Sequence, residues 1–108
     1  MTKMIRSQLV LAAIVSLACT AAFAQSSGAA TYKAKCLNCH GATGMADTVT
    51  GRALKIRPIT DPEIVKIPEG GMFENVKSGI RGKMIPYKDQ LTDKQIKDVV
   101  GYFRTFMK

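Results

Sequence analysis

Tryptophan is absent from this chain, and histidine occurs once, as His40. A metal site built on several imidazoles is therefore excluded, and so is a histidine pair. Cysteine occurs three times, too few for the several disulfides that hold small secreted scaffolds together. Acidic residues are scarce: eight Asp and Glu stand against sixteen Lys and Arg, for a net charge of +8. The length of 108 residues leaves room for one small domain and none for a separate substrate domain. No apolar run reaches the roughly 20 residues needed to span a bilayer. With 46% hydrophobic and 22% charged residues, the composition is still that of a folded chain, neither disordered nor collagen-like.

What is present begins with a leader. Lys3 and Arg6 make a positive start, Leu9 to Ala18 an apolar run, and Ala22-Phe23-Ala24 a small-x-small cleavage pattern. This pattern predicts a signal peptide over 1–24 and one domain over 25–108. An uncleaved N-terminal anchor is one alternative. A lipid-modified Cys19 is another, but Ser16 stands three positions ahead of it, where such sites carry an aliphatic residue. Cleavage removes Lys3, Arg6 and Cys19 and leaves Cys36 and Cys39. The expected location is periplasmic, an oxidising compartment where free thiols need a reason. So short a chain also has a thin core, which a staple or a buried cofactor would support.

Helical spacing runs from Gly28 to His40, with Ala29, Tyr32 and Cys36 on one side, and Gly41 is a natural stop. Residues 41–61 hold three glycines and Pro58 and are expected as loop. Asp61 and Pro62 can open a short helix, which Pro68 and Gly70-Gly71 should end. From Met72, a helix would place Phe73, Val76 and Ile80 on one face, with Gly79 and Gly82 closing it. Residues 81–91 read as a second loop. Thr92-Asp93-Lys94-Gln95 is a capping box, and the last helix carries Ile96, Val99, Val100, Phe103 and Met107 on one stripe. No strand-like alternation and no repeat occurs. The expectation is an all-α fold of three or four helices with long loops. Loops of that size imply a large apolar group at the centre.

Cys36-Leu37-Asn38-Cys39-His40 is a C-x-x-C-H motif. Two thiols three positions apart lie on one helical side and can add to the two vinyl groups of haem as thioethers. The next residue, His40, is then held under the iron as proximal ligand. A redox C-x-x-C belongs in a βαβ setting, and nothing here resembles a strand. A Cys/His zinc site lacks its fourth ligand. A structural disulfide between these cysteines is the remaining rival, and a strained one.

With these residues in place, the chain resembles the small class I c-type cytochromes, bacterial monohaem carriers similar to cytochromes c6 and c551. The likeness extends from about Gly28 to Phe106. Gly28-x-x-x-Tyr32-x-x-x-Cys36 resembles the N-terminal helix of that family, and Val99-x-x-Tyr102-Phe103 its C-terminal helix. The resemblance implies a cytochrome c-like fold wrapped around one covalent haem c, with Gly28 admitting Tyr102 where the two helices cross. It also implies a methionine as second axial ligand. Met45 is too near His40 in sequence, Met107 is near the chain end, and Met72 reads as core. Met84, in the loop Gly82 to Tyr87, stands where the family carries its ligand, although Ile85 separates it from the usual proline. The family also implies a proline carbonyl accepting from His40, with Pro58 the candidate and Pro62 the alternative. Arg52, Lys55 and Arg57 are candidates for the haem propionates.

The expected function is one-electron transfer, not catalysis, with Cys36 and Cys39 attaching haem and His40 and Met84 holding iron. The alternatives are a five-coordinate haem enzyme or gas-binding cytochrome, and a haem-free C-x-x-C thiol oxidoreductase. Expected partners are redox proteins, among them an acidic-faced reductase or oxidase met by Lys33, Lys35, Lys83 and Lys88. Neither nucleic acid nor a small-molecule substrate is expected, and the chain should act as a monomer.

Overall fold

A computed structural model describes residues 27–108. The leader expected over 1–24, the alternative at Cys19 and the start of the domain at Gln25 lie outside the described residues.

Helix α1 covers residues 27–35. It breaks at Cys36, where φ is −116° and ψ is −29°, and resumes as α2, Leu37–His40. The break is slight, because the Cys36 N–H still donates to the Tyr32 carbonyl at 2.8 Å. The His40 N–H then donates to the Cys36 carbonyl at 2.9 Å. Gly41, with φ at 81°, ends the segment at the expected stop.

The stretch 41–61 is not all loop, because Val49–Ala53 forms a short helix, α3. Its cap is Thr48, whose Oγ1 accepts from the Gly51 N–H at 2.9 Å. A five-residue helix has too few turns to show a hydrophobic period. Helix α4, Pro62–Val65, begins as expected, with Asp61 Oδ1 accepting from the Glu63 N–H at 2.8 Å. Helix α5, Glu69–Ser78, starts earlier than expected, with Pro68 as its N-cap. Gly70 and Gly71 therefore lie inside α5 and do not end α4. Each helical glycine costs about 1 kcal/mol. Burying a Met side chain recovers about 1.5–3 kcal/mol, and Met72 is only 6% exposed. Gly79, at φ 76°, ends α5, so Ile80 leaves the helical face expected for it.

Helix α6, Asp93–Arg104, opens on the capping box: the Gln95 N–H donates to Thr92 Oγ1 at 3.2 Å, and the Thr92 N–H to Gln95 Oε1 at 2.9 Å. Met107 falls beyond α6, on the 3-10 turn Thr105–Met107. Among the described residues the only strand-like pairing is one bridge between Ile80 and Met84, so the fold is all-α. No helix among them is long and apolar enough to cross a membrane.

The core joins α5 and α6, through Met72, Ile96 and Val100, to Ile59 on the loop before α4 and Leu91 on the loop before α6. On the other side of α6, α1 makes the close crossing that the resemblance implied. A Cβ at Gly28 would collide with the Asp98 carbonyl and stand 3.0 Å from the Tyr102 Cβ. The rings of Tyr32 and Tyr102 then meet at 5.4 Å between centroids.

Candidate functional site

The C-x-x-C-H segment is held in place by contacts to its backbone. The Tyr32 hydroxyl donates to the Gly41 carbonyl at 2.6 Å, just past His40. Burial pushes that phenol's pKa well up, so it stays a donor. On the loop side, Thr48 Oγ1 donates to the Cys39 carbonyl at 3.1 Å. Helix α3 packs so near that a Cβ at Gly51 would stand 2.5 Å from the same carbonyl oxygen. Sequence reasoning passed over Thr48 and Gly51. The Thr ahead of a short polar helix was the only signal, and it marks a cap, not a contact to Cys39.

Met84 is carried by a tight turn. Ile80 and Met84 exchange both backbone hydrogen bonds, each at 2.8 Å. The turn presses on the end of α5, where a Cβ at Gly79 would stand 2.7 Å from the Met84 carbonyl oxygen.

The two segments share the wall of one cavity of about 400 Å³. Cys36, Cys39, His40 and Met84 all line it, with apolar side chains that include Ile64, Val76, Val99 and Phe103. That size and apolar character suit a bound organic group. The two thiols are free and not joined as a disulfide. Burial, and then the neighbouring Cys39, pushes the Cys36 thiol up to about 11. A reactive redox cysteine needs the opposite, a lowered pKa, which counts against the thiol oxidoreductase.

His40 Nδ1 is buried without a hydrogen-bond partner, and burial lowers the imidazole's pKa. The neutral form is thus favoured, the form that binds a metal. Neither candidate proline serves His40 here. The Pro58 carbonyl accepts from the Asp61 N–H at 2.9 Å, and the Pro62 carbonyl from the Lys66 N–H at 3.2 Å. The Phe103 ring stands edge-on to the imidazole at 5.1 Å.

Two of the four methionines considered reach the cavity, Met72 and Met84. Met72 belongs to the core as expected and also forms part of the wall. Its sulfur accepts from Arg104 Nη1 at 3.6 Å, whereas Met84 makes no side-chain hydrogen bond among the described residues. Of the three basic residues considered for the propionates, only Arg57 lines the cavity, paired loosely with Asp61 at 3.8 Å. Arg52 and Lys55 are exposed and off the wall, whereas Lys35 and Lys83 are on it. An apolar cavity bearing two free thiols and a neutral imidazole fits a covalently bound haem.

Comparison with known proteins agrees. The family model described as cytochrome C oxidase, cbb3-type, subunit III matches residues 23–103. Among solved structures, the KustC0563 c-type cytochrome is similar at 32% identity and a TM-score of 0.69, covering 75% of this chain and 98% of its own. A tyrosine-to-phenylalanine mutant of that protein is similar at 30% identity and a TM-score of 0.66, covering 73% of this chain and 96% of its own. No curated protein sequence is significantly similar. The fold, the free thiol pair on an apolar cavity and these likenesses converge, and the chain belongs to the small class I c-type cytochromes, with one haem c bound covalently through Cys36 and Cys39.

Proposed function

We propose that the chain is a periplasmic one-electron carrier, with His40 and Met84 as the two axial ligands of its haem iron. The observation that carries this reading is the single cavity whose wall bears Cys36, Cys39, His40 and Met84 together. The bound haem supplies one reversible electron step at iron. The protein's part is to hold the iron six-coordinate in an apolar surround. The Met84 thioether is a soft ligand that favours the ferrous state and raises the potential. Were His40 and Met84 to fill both axial positions, none would remain for a substrate, and the protein would act as a carrier and not an enzyme. The leader pattern supports export, and the domain is read as acting alone, as a monomer.

Carbon monoxide tests the ligation. The ferrous parent protein should not bind it on mixing. Immediate binding would show an open sixth position and favour the five-coordinate enzyme or gas-binding cytochrome.

The partners we propose are acidic-faced redox proteins. Lys35 and Lys83 line the cavity, and Lys33 and Lys88 are exposed nearby in sequence. Steering by such charges is screened over about 10 Å at 0.1 M salt. Bimolecular electron-transfer rates with an acidic partner should therefore fall steadily as ionic strength rises. A flat or rising dependence would remove the lysines from the docking step.

A further inference from the structure

The turn that carries Met84 is bonded mainly to itself. Among the described residues, no hydrogen bond from residues 81–86 leaves the turn: Lys83 and Met84 N–H both donate to the Ile80 carbonyl, at 2.9 and 2.8 Å. Its position must therefore be set by the segments on either side. Upstream, it is fixed to the end of α5 through Gly79. Downstream, it is fixed at Tyr87. The Tyr87 N–H donates to the Val76 carbonyl on α5 at 3.0 Å, and its carbonyl accepts from Gln90 and Leu91 N–H, both at 2.9 Å. Its ring is half-buried, packs on the core and lines the cavity. Its hydroxyl donates to the Lys35 carbonyl at 3.2 Å, across 52 residues of chain. A second link, exposed like the first, runs parallel from Lys35 Nζ to Gln90 Oε1 at 3.2 Å. Lys35 directly precedes Cys36, the first attachment cysteine.

We infer that Tyr87 is a positioning residue, whose hydroxyl straps the Met84 turn to the attachment helix and so sets how readily an external ligand displaces Met84 from the iron. The inference rests on the His40/Met84 reading. The physical argument is one of linkage. Displacing Met84 requires the turn to move out of the cavity, and opening costs whatever contacts close it. Since the turn itself bonds to nothing else, that cost falls largely on its anchors. The Tyr87–Lys35 bond joins the Met84 side of the site directly to the haem-attachment side. Removing its hydroxyl lowers the cost of opening without touching the iron or the ring's packing.

Imidazole binding to the ferric holoprotein, followed by absorption, tests this. Tyr87→Phe should bind imidazole roughly two- to tenfold more tightly than the parent, the range set by one net hydrogen bond. Amide exchange at Met84 should quicken in the same variant. A purely structural role would lower the melting temperature and leave the imidazole affinity at the parent value, and that result overturns the inference. Gln90→Ala removes the parallel link at the surface and should shift affinity in the same direction by less. If Tyr87→Phe does not accumulate as holoprotein, Gln90→Ala decides: tighter imidazole binding supports the strap, and unchanged binding overturns it. Met84→Ala separates the two levels. If it binds imidazole far more tightly than the parent while Tyr87→Phe does not, the strap alone is lost. If Met84→Ala binds as the parent does, the ligand reading fails and the strap with it.

Discussion

A chain in which both Cys36 and Cys39 are replaced by alanine should carry no covalent haem and should be largely unfolded. The first half follows from chemistry: two thioethers need two thiols, and no other cysteine lies among the described residues. The second half follows from packing. Among the described residues only eight hydrophobic residues are buried, and Ile59 and Ile96 are the largest that are fully so. The wall of the central cavity includes Val99, Val100, Phe103 and Tyr87. Without the macrocycle these side chains border a space of about 400 Å³ with nothing packed against them. Empty core volume of that kind costs stability in proportion to its size, and a ligand bound only by the folded state contributes its whole binding free energy to folding. Haem staining after denaturing electrophoresis and circular dichroism would measure the two effects. Haem retained through denaturation by the double variant would refute the attachment.

Met84→Ala should leave haem attached but open the iron. Its reduction potential should fall, because a ligand that favours the ferrous state is gone. The ferrous variant should bind carbon monoxide on mixing, whereas the parent should not. Met72→Ala is the control, because Met72 is the other methionine on the cavity wall. Its sulfur meets Arg104 and its side chain is buried, so the loss should be one of packing, about 2–5 kcal/mol. The haem spectrum should be unchanged. The opposite outcome, with Met72→Ala opening the iron and Met84→Ala leaving it closed, would transfer the ligand role to Met72. The carrier function would survive that exchange.

The parts of the site that were legible were those encoded over short spans. Cys36, Cys39 and His40 form one motif because their geometry comes from one helical turn. Gly28, Tyr32 and Tyr102 were legible through the resemblance, and the close crossing of α1 and α6 bears them out. Met84 was legible only by position, and the cavity wall admits Met72 as well. The basic residues of the 52–57 segment read alike, yet Arg57 alone faces the cavity. The proline acceptor for His40 was legible only by analogy, and neither Pro58 nor Pro62 is bonded to it.

By itself the sequence determined the chemistry of attachment, the helical class, and the starts of two helices with polar caps, at Asp61 and Thr92, though not that of α3 at Thr48. These are local properties: a motif, a period, a side chain reaching its own backbone. The early start of α5 was decided by tertiary structure, where burial of Met72 offsets a glycine cost of similar size at Gly70 and Gly71. So was the placing of Thr48 on the Cys39 carbonyl. So too was the Tyr87 hydroxyl on the Lys35 carbonyl. Such contacts join residues of different elements, nine and 52 positions apart, through backbone carbonyls, which every residue possesses. No residue type announces them, and only the packing of α1, α5 and the Met84 turn around one cavity brings the partners within reach.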